Sequence, residues 1–300
     1  MPARFAIAAC ALLTGCAAAP HAPATALAGR IWDAHAGRFI EEPDLAQRMR
    51  EVRYVLLGEV HDNPAHHELR ARLIGGLPPQ TEIFFEQFDR PQDAALREAQ
   101  RAGAGAEALA RAGRMDAGWD WPLYRPLVEA ALAGRQPVRA ANLPNAETRR
   151  IASAGKLGAG ETALADALAR SRWTEADERA LREEIVESHC RALPARLAPA
   201  MALAQRARDA TMALALAGAP GSAVLLAGNG HVRRDLGVPR YLPPGSALLS
   251  VGFLEVRDEE PEPRAYATGE TGAPAYDYVW FTPRQARPDP CATFKGSPPQ

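Results

Sequence analysis

The chain has 300 residues, 47% hydrophobic and 24% charged, with 35 Lys and Arg against 36 Asp and Glu for a formal charge of −1 at pH 7. This balance excludes the basic surface that nucleic-acid binding requires, and the apolar fraction is too high for a disordered chain. The length allows one large core or a main domain carrying an insertion.

From the N-terminus, one cation at Arg4 precedes an apolar stretch through Leu13, far short of the roughly 20 residues a membrane-spanning helix needs. Residues 1–15 therefore read as a signal peptide. Leu13-Thr14-Gly15-Cys16 resembles a bacterial lipobox, which predicts cleavage before Cys16, lipidation of that thiol, and a mature protein anchored to the membrane without spanning it. Ala17, in place of Asp, after the lipid site points to the periplasmic side of the outer membrane or the cell surface. Residues 16–29 are the Ala- and Pro-rich tether, and a folded domain is expected over 30–283.

The first strong strand is 54–57, followed by a turn at Asn63-Pro64 and a helix over 65–74 that closes at Gly75-Gly76. A second strand spans 83–88 and leads into a helix over 91–102. After the turn Gly118-Trp119-Asp120-Trp121 come a helix over 122–133 and a third strand over 137–141. Residues 146–217 show helical periodicity without a strand signal, broken at Gly155-Lys156-Leu157-Gly158 and at Pro194. Strand patterns return at 223–227, 247–256 and 276–281, and the Pro-rich tail, 284–300, reads as loose. The expected fold is α/β, with a largely parallel central sheet flanked by helices and an inserted helical cap subdomain.

Of four cysteines, Cys10 leaves with the signal and Cys16 takes the lipid. Cys190 and Cys291 remain, either bridged in an oxidising compartment or unpaired, with Cys190 a buried small hydrophobe in a helix over 178–193.

Two of the apolar runs end in Gly-x-x-His, as Gly58-Glu59-Val60-His61 and as Gly228-Asn229-Gly230-His231. Ligands of open α/β sheets sit beyond the carboxyl ends of the strands, so both histidines can face one crevice. Glu59, His61 and Asp62 follow the first strand, Glu86 and Gln87 end the second, Asn142 follows the third, and Asn229 and His231 follow the late strand. Glu59, His61 and His231 suit a divalent metal with an open position, while Glu59, His61, Glu86 and His231 suit metal-free acid–base catalysis. Asn229, between two glycines, serves either a turn or a catalytic amide. His66 and His67 are further ligands or solvated, capping side chains. Arg208-Asp209 is a surface ion pair or a contact from the cap into the crevice.

Leu57-Gly58-Glu59-Val60-His61-Asp62-Asn63-Pro64 with His66-His67, Glu86-Gln87-Phe88, His189-Cys190 with Leu193-Pro194, Gln205 with Arg208-Asp209 and Met212, and Gly228-Asn229-Gly230-His231 with Gly237-Val238-Pro239 and Leu242 together resemble the ChaN family of the Tiki superfamily, which includes erythromycin esterase-like and TraB-like proteins. The resemblance implies an α/β domain with a helical insertion and a lipoprotein that binds haem in iron uptake. It also implies a tyrosine ligand to iron and a homodimer holding haems face to face. Tyr124, beside Trp119 and Trp121, is the first candidate for that ligand and Tyr241 the second. In Tiki relatives the Gly-x-x-His elements and a strand-end Glu form a hydrolytic, sometimes metal-dependent site, which maps here onto Glu59, His61, Glu86 and His231. No Cys-x-x-Cys-His sequence is present, which excludes covalent c-type attachment. Two functions follow as expectations, a lipid-anchored haem-binding protein and an esterase- or peptidase-like hydrolase.

Overall fold

The computed structural model describes residues 24–115, 118–171, 173–257, 260–269, 272–289 and 291–292. The expected signal peptide, Cys16 and most of the tether lie outside the described residues. A short hairpin comes first, β1 (Ile31–Asp33) and β2 (Arg38–Ile40), turned where Asp33 Oδ1 accepts the His35 and Ala36 N–H groups and Gly37 takes a positive φ. Helix α1 (Glu42–Arg50) leads to β3 (Tyr54–Leu57), and α2 (Pro64–Gly75) begins at Asn63, whose side chain accepts from the Ala65 N–H. β4 (Glu82–Asp89), α3 (Asp93–Arg101), α4 (Ala106–Ala112), α5 (Trp121–Ala133) and β5 (Val138–Asn142) follow. The helical insertion comprises α6 (Asn145–Ala154), α7 (Thr162–Arg170), α8 (Glu175–Ser188) and α9 (Ala198–Ala217). The chain then returns to the sheet through β6 (Ala223–Leu226), the single turn α10 (Asn229–Val232), β7 (Leu248–Glu255), α11 (Pro263–Ala267) and β8 (Tyr278–Thr282).

The eight strands form one sheet ordered β2-β1-β8-β7-β3-β6-β4-β5, parallel from β8 to β5, with the hairpin antiparallel at one edge. Register aligns Leu57 with Leu226 and Phe85 with Leu226, so β3, β6 and β4 end side by side. Alternation then sorts the side chains. Val55, Leu57 and Phe85 pack beneath α2, α3 and α5, whereas Tyr54, Leu56 and Phe84 pack against α6, α7 and α9. Each buried Val, Leu or Phe contributes roughly 1.5–3 kcal/mol, which makes this in-phase register costly to shift. α8 carries a small core of its own, Leu181 and Ile185 against Leu236.

Three features depart from the sequence reading. The hairpin leaves no signal in the sequence, because three-residue strands are too short to show a period, and α1 lies ahead of the first strong strand. Cys190 lies beyond α8 with a positive φ and forms a disulfide with Cys291, so it is neither helical nor unpaired. The described part of the tail is tied down: Arg287 forks onto Asp62 and Glu255, and the Gln285 N–H donates to Glu255.

Candidate active site

Glu59 continues the Val55-Leu57 alternation past the end of β3 and so points toward α2 and α5. There it is 2% exposed. Its Oε1 accepts from His61 Nδ1 at 2.6 Å, Tyr124 OH at 2.8 Å and Gln87 Nε2 at 3.1 Å, and its Oε2 pairs with the fully buried Arg70 of α2. A carboxylate only accepts, so His61 carries its proton on Nδ1 and presents a bare Nε2. Half of the His61 side chain faces solvent (47%), yet desolvation by the surrounding protein still lowers its pKa despite the pull of Glu86, and the ring is neutral at pH 7. Trp119 packs edge-on against His61 at 5.0 Å and against Tyr124 at 5.6 Å.

Glu86 has the opposite parity and points toward α9. Its Oε1 accepts from Arg208 at 2.7 Å and faces His231 Nε2 at 3.3 Å, and its Oε2 accepts from the Gly228 N–H at 2.8 Å. His231 Nδ1 donates to Asp209 Oδ1 at 2.6 Å. With a carboxylate at each ring nitrogen, His231 is an imidazolium. Burial alone would lower its pKa, but Glu86 and then Asp209 outweigh burial and raise it to about 9. Burial likewise works to raise Glu86, but the His231 and Arg208 cations hold it well below the usual carboxylate range, so it is an anion and not a proton donor. Burial pushes Asp209 upward, which leaves Glu86 as the firmer counter-charge.

The two halves meet at His61 and Gly228. A Cβ placed on Gly228 would lie 3.1 Å from His61 Nε2 and 3.7 Å from Glu86 Oε2, so only glycine leaves His61 room beside the Glu86 cluster. Gly58 is required for a similar reason, since a side chain there would strike Asn229. Asn229 is structural: its Nδ2 donates to the Phe253 carbonyl and its Oδ1 accepts the Phe253 N–H, pinning α10 to β7.

The structure thus brings together Glu59, His61, Glu86 and His231, with Tyr124 in contact with Glu59. Tyr241 stands apart in the α9-side core, its hydroxyl accepting from Arg206 at 3.2 Å and its ring stacked on Trp173. Arg208 and Asp209 reach into the crevice. His66 and His67 are not solvated. His66 Nδ1 accepts the Val60 N–H and Nε2 donates to Thr282, with burial lowering its pKa to about 4; His67 Nε2 donates to the His61 carbonyl and Nδ1 accepts from Arg70. Arg70 escaped the sequence reading, although its spacing from His66 and His67 places all three on one helical face. Among the described residues no three His, Cys, Asp or Glu side chains converge as a metal-ligand set. Glu59 is already engaged by Arg70 and three other donors, and both ring nitrogens of His231 are taken, so the divalent-metal arrangement is not assembled.

Chemically, the Glu59–His61 pair can accept a proton at Nε2, and the His231–Arg208 cations around Glu86 place positive charge beside it.

The chain is similar to the solved structure of Campylobacter jejuni ChaN with cofacially bound haem, at 20% identity, covering 83% of this chain and 95% of that one with a TM-score of 0.66. It is also similar to a mutant of the erythromycin esterase EreC in its open conformation (15% identity, 71% and 72% covered, TM-score 0.42) and to the type III effector HopBA1 (13%, 80% and 92%, TM-score 0.38). No curated protein matches the chain. A family model described as haem-binding uptake, Tiki superfamily, ChaN, matches residues 45–242, a span that includes every residue of the strand-end site. The chain therefore belongs to the ChaN family of haem-binding uptake proteins in the Tiki superfamily.

Proposed function

We propose that this protein binds haem while tethered through Cys16 to the periplasmic side of a bacterial outer membrane, and that His61 is the side chain it offers to iron. Family membership supports haem as the ligand. The lipobox-like Leu13-Thr14-Gly15-Cys16 and the Ala/Pro tether support the anchor, and the cofacial haem of the Campylobacter relative supports a homodimer. All six tyrosines of the chain are buried, Tyr124 at 1% and Tyr241 at 8% exposure. Burial also raises the phenol pKa of both, which disfavours a phenolate ligand, and Tyr124 is committed to Glu59. His61 combines a half-exposed ring, a neutral imidazole and a bare Nε2 beside Trp119, and this observation carries the assignment. When bound, haem would supply an iron centre for the His61 imidazole to ligate, and Glu59 would orient that imidazole and raise its basicity. Hemin titration should give a saturable Soret band in the wild type and in Tyr124→Phe, and a weakened, shifted band in His61→Ala. A non-saturable response in the wild type refutes haem binding; an unchanged spectrum in His61→Ala refutes the ligand.

The carboxylate–imidazole pair favours hydrolysis as a second reading. His61 Nε2 would take a proton from water as that water attacks an ester or amide carbonyl, and Arg208 and His231 would oppose the developing negative charge. Ester turnover by metal-free protein, abolished in His61→Ala, tests it; turnover that survives His61→Ala counts it out.

A further inference from the structure

At the end of the sheet away from His61, the amino ends of β4 and β5 meet the last turns of α3 and α5 around a cleft of about 540 Å3. Its walls carry four arginines, Arg97 and Arg101 from α3, Arg135 just after α5 and Arg139 on β5, against the single carboxylate of Glu82. Arg139 is already engaged, pairing with Glu82 and forking onto Asp93 at 2.9 and 3.0 Å. Arg97, Arg101 and Arg135 are exposed, and none of them forms an ion pair among the described residues. Glu98, between two of them in sequence, is not on the wall. Two other clefts are balanced: the one beside the hairpin sets Arg30 and Arg72 against Glu41, Glu42 and Glu68, and the one along α8 sets Arg179, Arg182 and Arg191 against Glu183 and Glu187.

The amides of the wall are committed to the backbone. Gln100 donates Nε2 to the Val138 carbonyl and accepts the Val138 N–H at Oε1, both at 2.8 Å, which fixes α3 to the edge strand, and Gln136 Nε2 donates to the Ile74 and Leu77 carbonyls. What the cleft presents is therefore guanidinium N–H, and its complement is an anion that only accepts. Complementing a helix C-terminus accounts for Arg101, whose Nε donates to the Arg97 carbonyl, but not for Arg135. That residue has a φ of 54°, the left-handed conformation ordinarily left to glycine, so the chain accepts strain where an arginine joins the wall. Guanidinium forks match the paired oxygens of a phosphate. The volume lies within the roughly 300–1,000 Å3 of small-molecule sites, and Leu132 and Pro137 offer an apolar surface for the rest of a phosphorylated ligand. The chain enters the fold at the carboxyl end of β8, where the Gly29 N–H donates to the Phe281 carbonyl; β8 lies four strands from β4, roughly 20 Å across the sheet. The anchor proposed above, at that corner, leaves this cleft facing away from the membrane, which favours a soluble ligand over a lipid headgroup.

We propose that this cleft binds the phosphate group of a small soluble phosphomonoester, with Arg97, Arg101 and Arg135 donating to its oxygens and its carbon portion lying on Leu132 and Pro137. The site is independent of the haem reading, since it shares no residue with the His61 site and opens at the opposite end of the strands.

Isothermal titration with glucose 6-phosphate and with inorganic phosphate tests it, with glucose, glucuronate and vesicles containing phosphatidic acid as comparisons. Glucose 6-phosphate should bind saturably to the wild type and more tightly than inorganic phosphate, and glucose should not bind. Glucuronate, with a single charge on a planar carboxylate, should bind about tenfold more weakly than glucose 6-phosphate. The double variant Arg97→Gln, Arg135→Gln should lose binding about a hundredfold, with thermal unfolding used to confirm that it folds. Arg135→Gly suits the left-handed backbone, so it should unfold at no lower temperature than the wild type and still bind several-fold more weakly, which separates loss of the guanidinium from loss of the fold. The proposal is overturned by no saturable heat with either phosphate probe, by equal affinity for glucuronate, by unchanged binding in the double variant, or by binding to the phosphatidic acid vesicles alone.

Discussion

His231 is a buried cation whose loss should leave a measurable pH signature. Its ring faces Asp209 Oδ1 at 2.6 Å and Glu86 Oε1 at 3.3 Å, the latter oxygen also accepting from Arg208, and His61 is a further titratable group nearby. Burial opposes its charge, Glu86 and Asp209 restore it, and the pKa rises to about 9 from the 6.5 of a free imidazole. Folding therefore takes up a proton between those values. Below about pH 6.5 both folded and unfolded chains are protonated and the coupling contributes fully; as pH rises toward about 9 the folded state holds the extra proton and stability falls; above about 9 the contribution is gone. At about 1.4 kcal/mol per pH unit this amounts to about 3 kcal/mol. Glu86 has the opposite sign: its lowered pKa gives stability that is present above the usual carboxylate range and lost in acid. Urea unfolding of the wild type and of His231→Gln, repeated from about pH 6 to about pH 10, isolates the histidine. The wild type should lose about 3 kcal/mol relative to the variant across that range. Parallel profiles would refute the imidazolium assignment, and with it the claim that positive charge lies beside His61.

Cys291→Ser opens a loop of sequence separation 101, for which chain entropy gives a loss of about 4.7 kcal/mol; an unchanged urea midpoint would argue against the Cys190–Cys291 pairing. Arg70→Met leaves Glu59 buried without its cation and should cost about 3–5 kcal/mol in thermal or urea unfolding, whereas a loss below about 1 kcal/mol would mean that the pair is not formed. The two motif glycines should separate. Gly58→Ala collides with an Asn229 side chain pinned by two hydrogen bonds and should lower stability by about 1–3 kcal/mol. Gly228→Ala crowds a half-exposed His61 that can swing away, so the fold should survive within about 1 kcal/mol while the hemin spectrum changes as it does in His61→Ala.

What the chain discloses about its own site depends on whether a residue's role is fixed by its near neighbours in sequence. Tyr54-Val55-Leu56-Leu57 reads as a buried strand because both of its faces are covered, and the Gly-x-x-His that follows marks where it ends. Counting by twos beyond that end already separates Glu59 and Gln87 from Glu86, which explains why Glu59, His61, Glu86 and His231 come together as two networks, one under α2 and α5 and one under α9, that meet at His61 and Gly228. Treating them as one set made a metal centre plausible; parity sends Glu59 and Glu86 to opposite faces, where each is neutralised by a different arginine. Arg70 could not be recognised, because an arginine midway through a helix is ordinarily solvated and its burial depends on a carboxylate eleven residues earlier, on another element. His66 and His67 misled for the same reason, their partners being the Val60 and His61 backbone, Thr282 and Arg70. The haem ligand is the hardest case. A tyrosine's availability to iron is a matter of exposure, which no local pattern encodes, and here all six are buried while a histidine from the most legible motif is half exposed. The motif that marks the fold is thus also where this chain has an uncommitted imidazole nitrogen, so the two proposed roles, iron ligation and proton transfer, would compete for His61 Nε2, and hemin should inhibit any ester turnover the protein shows.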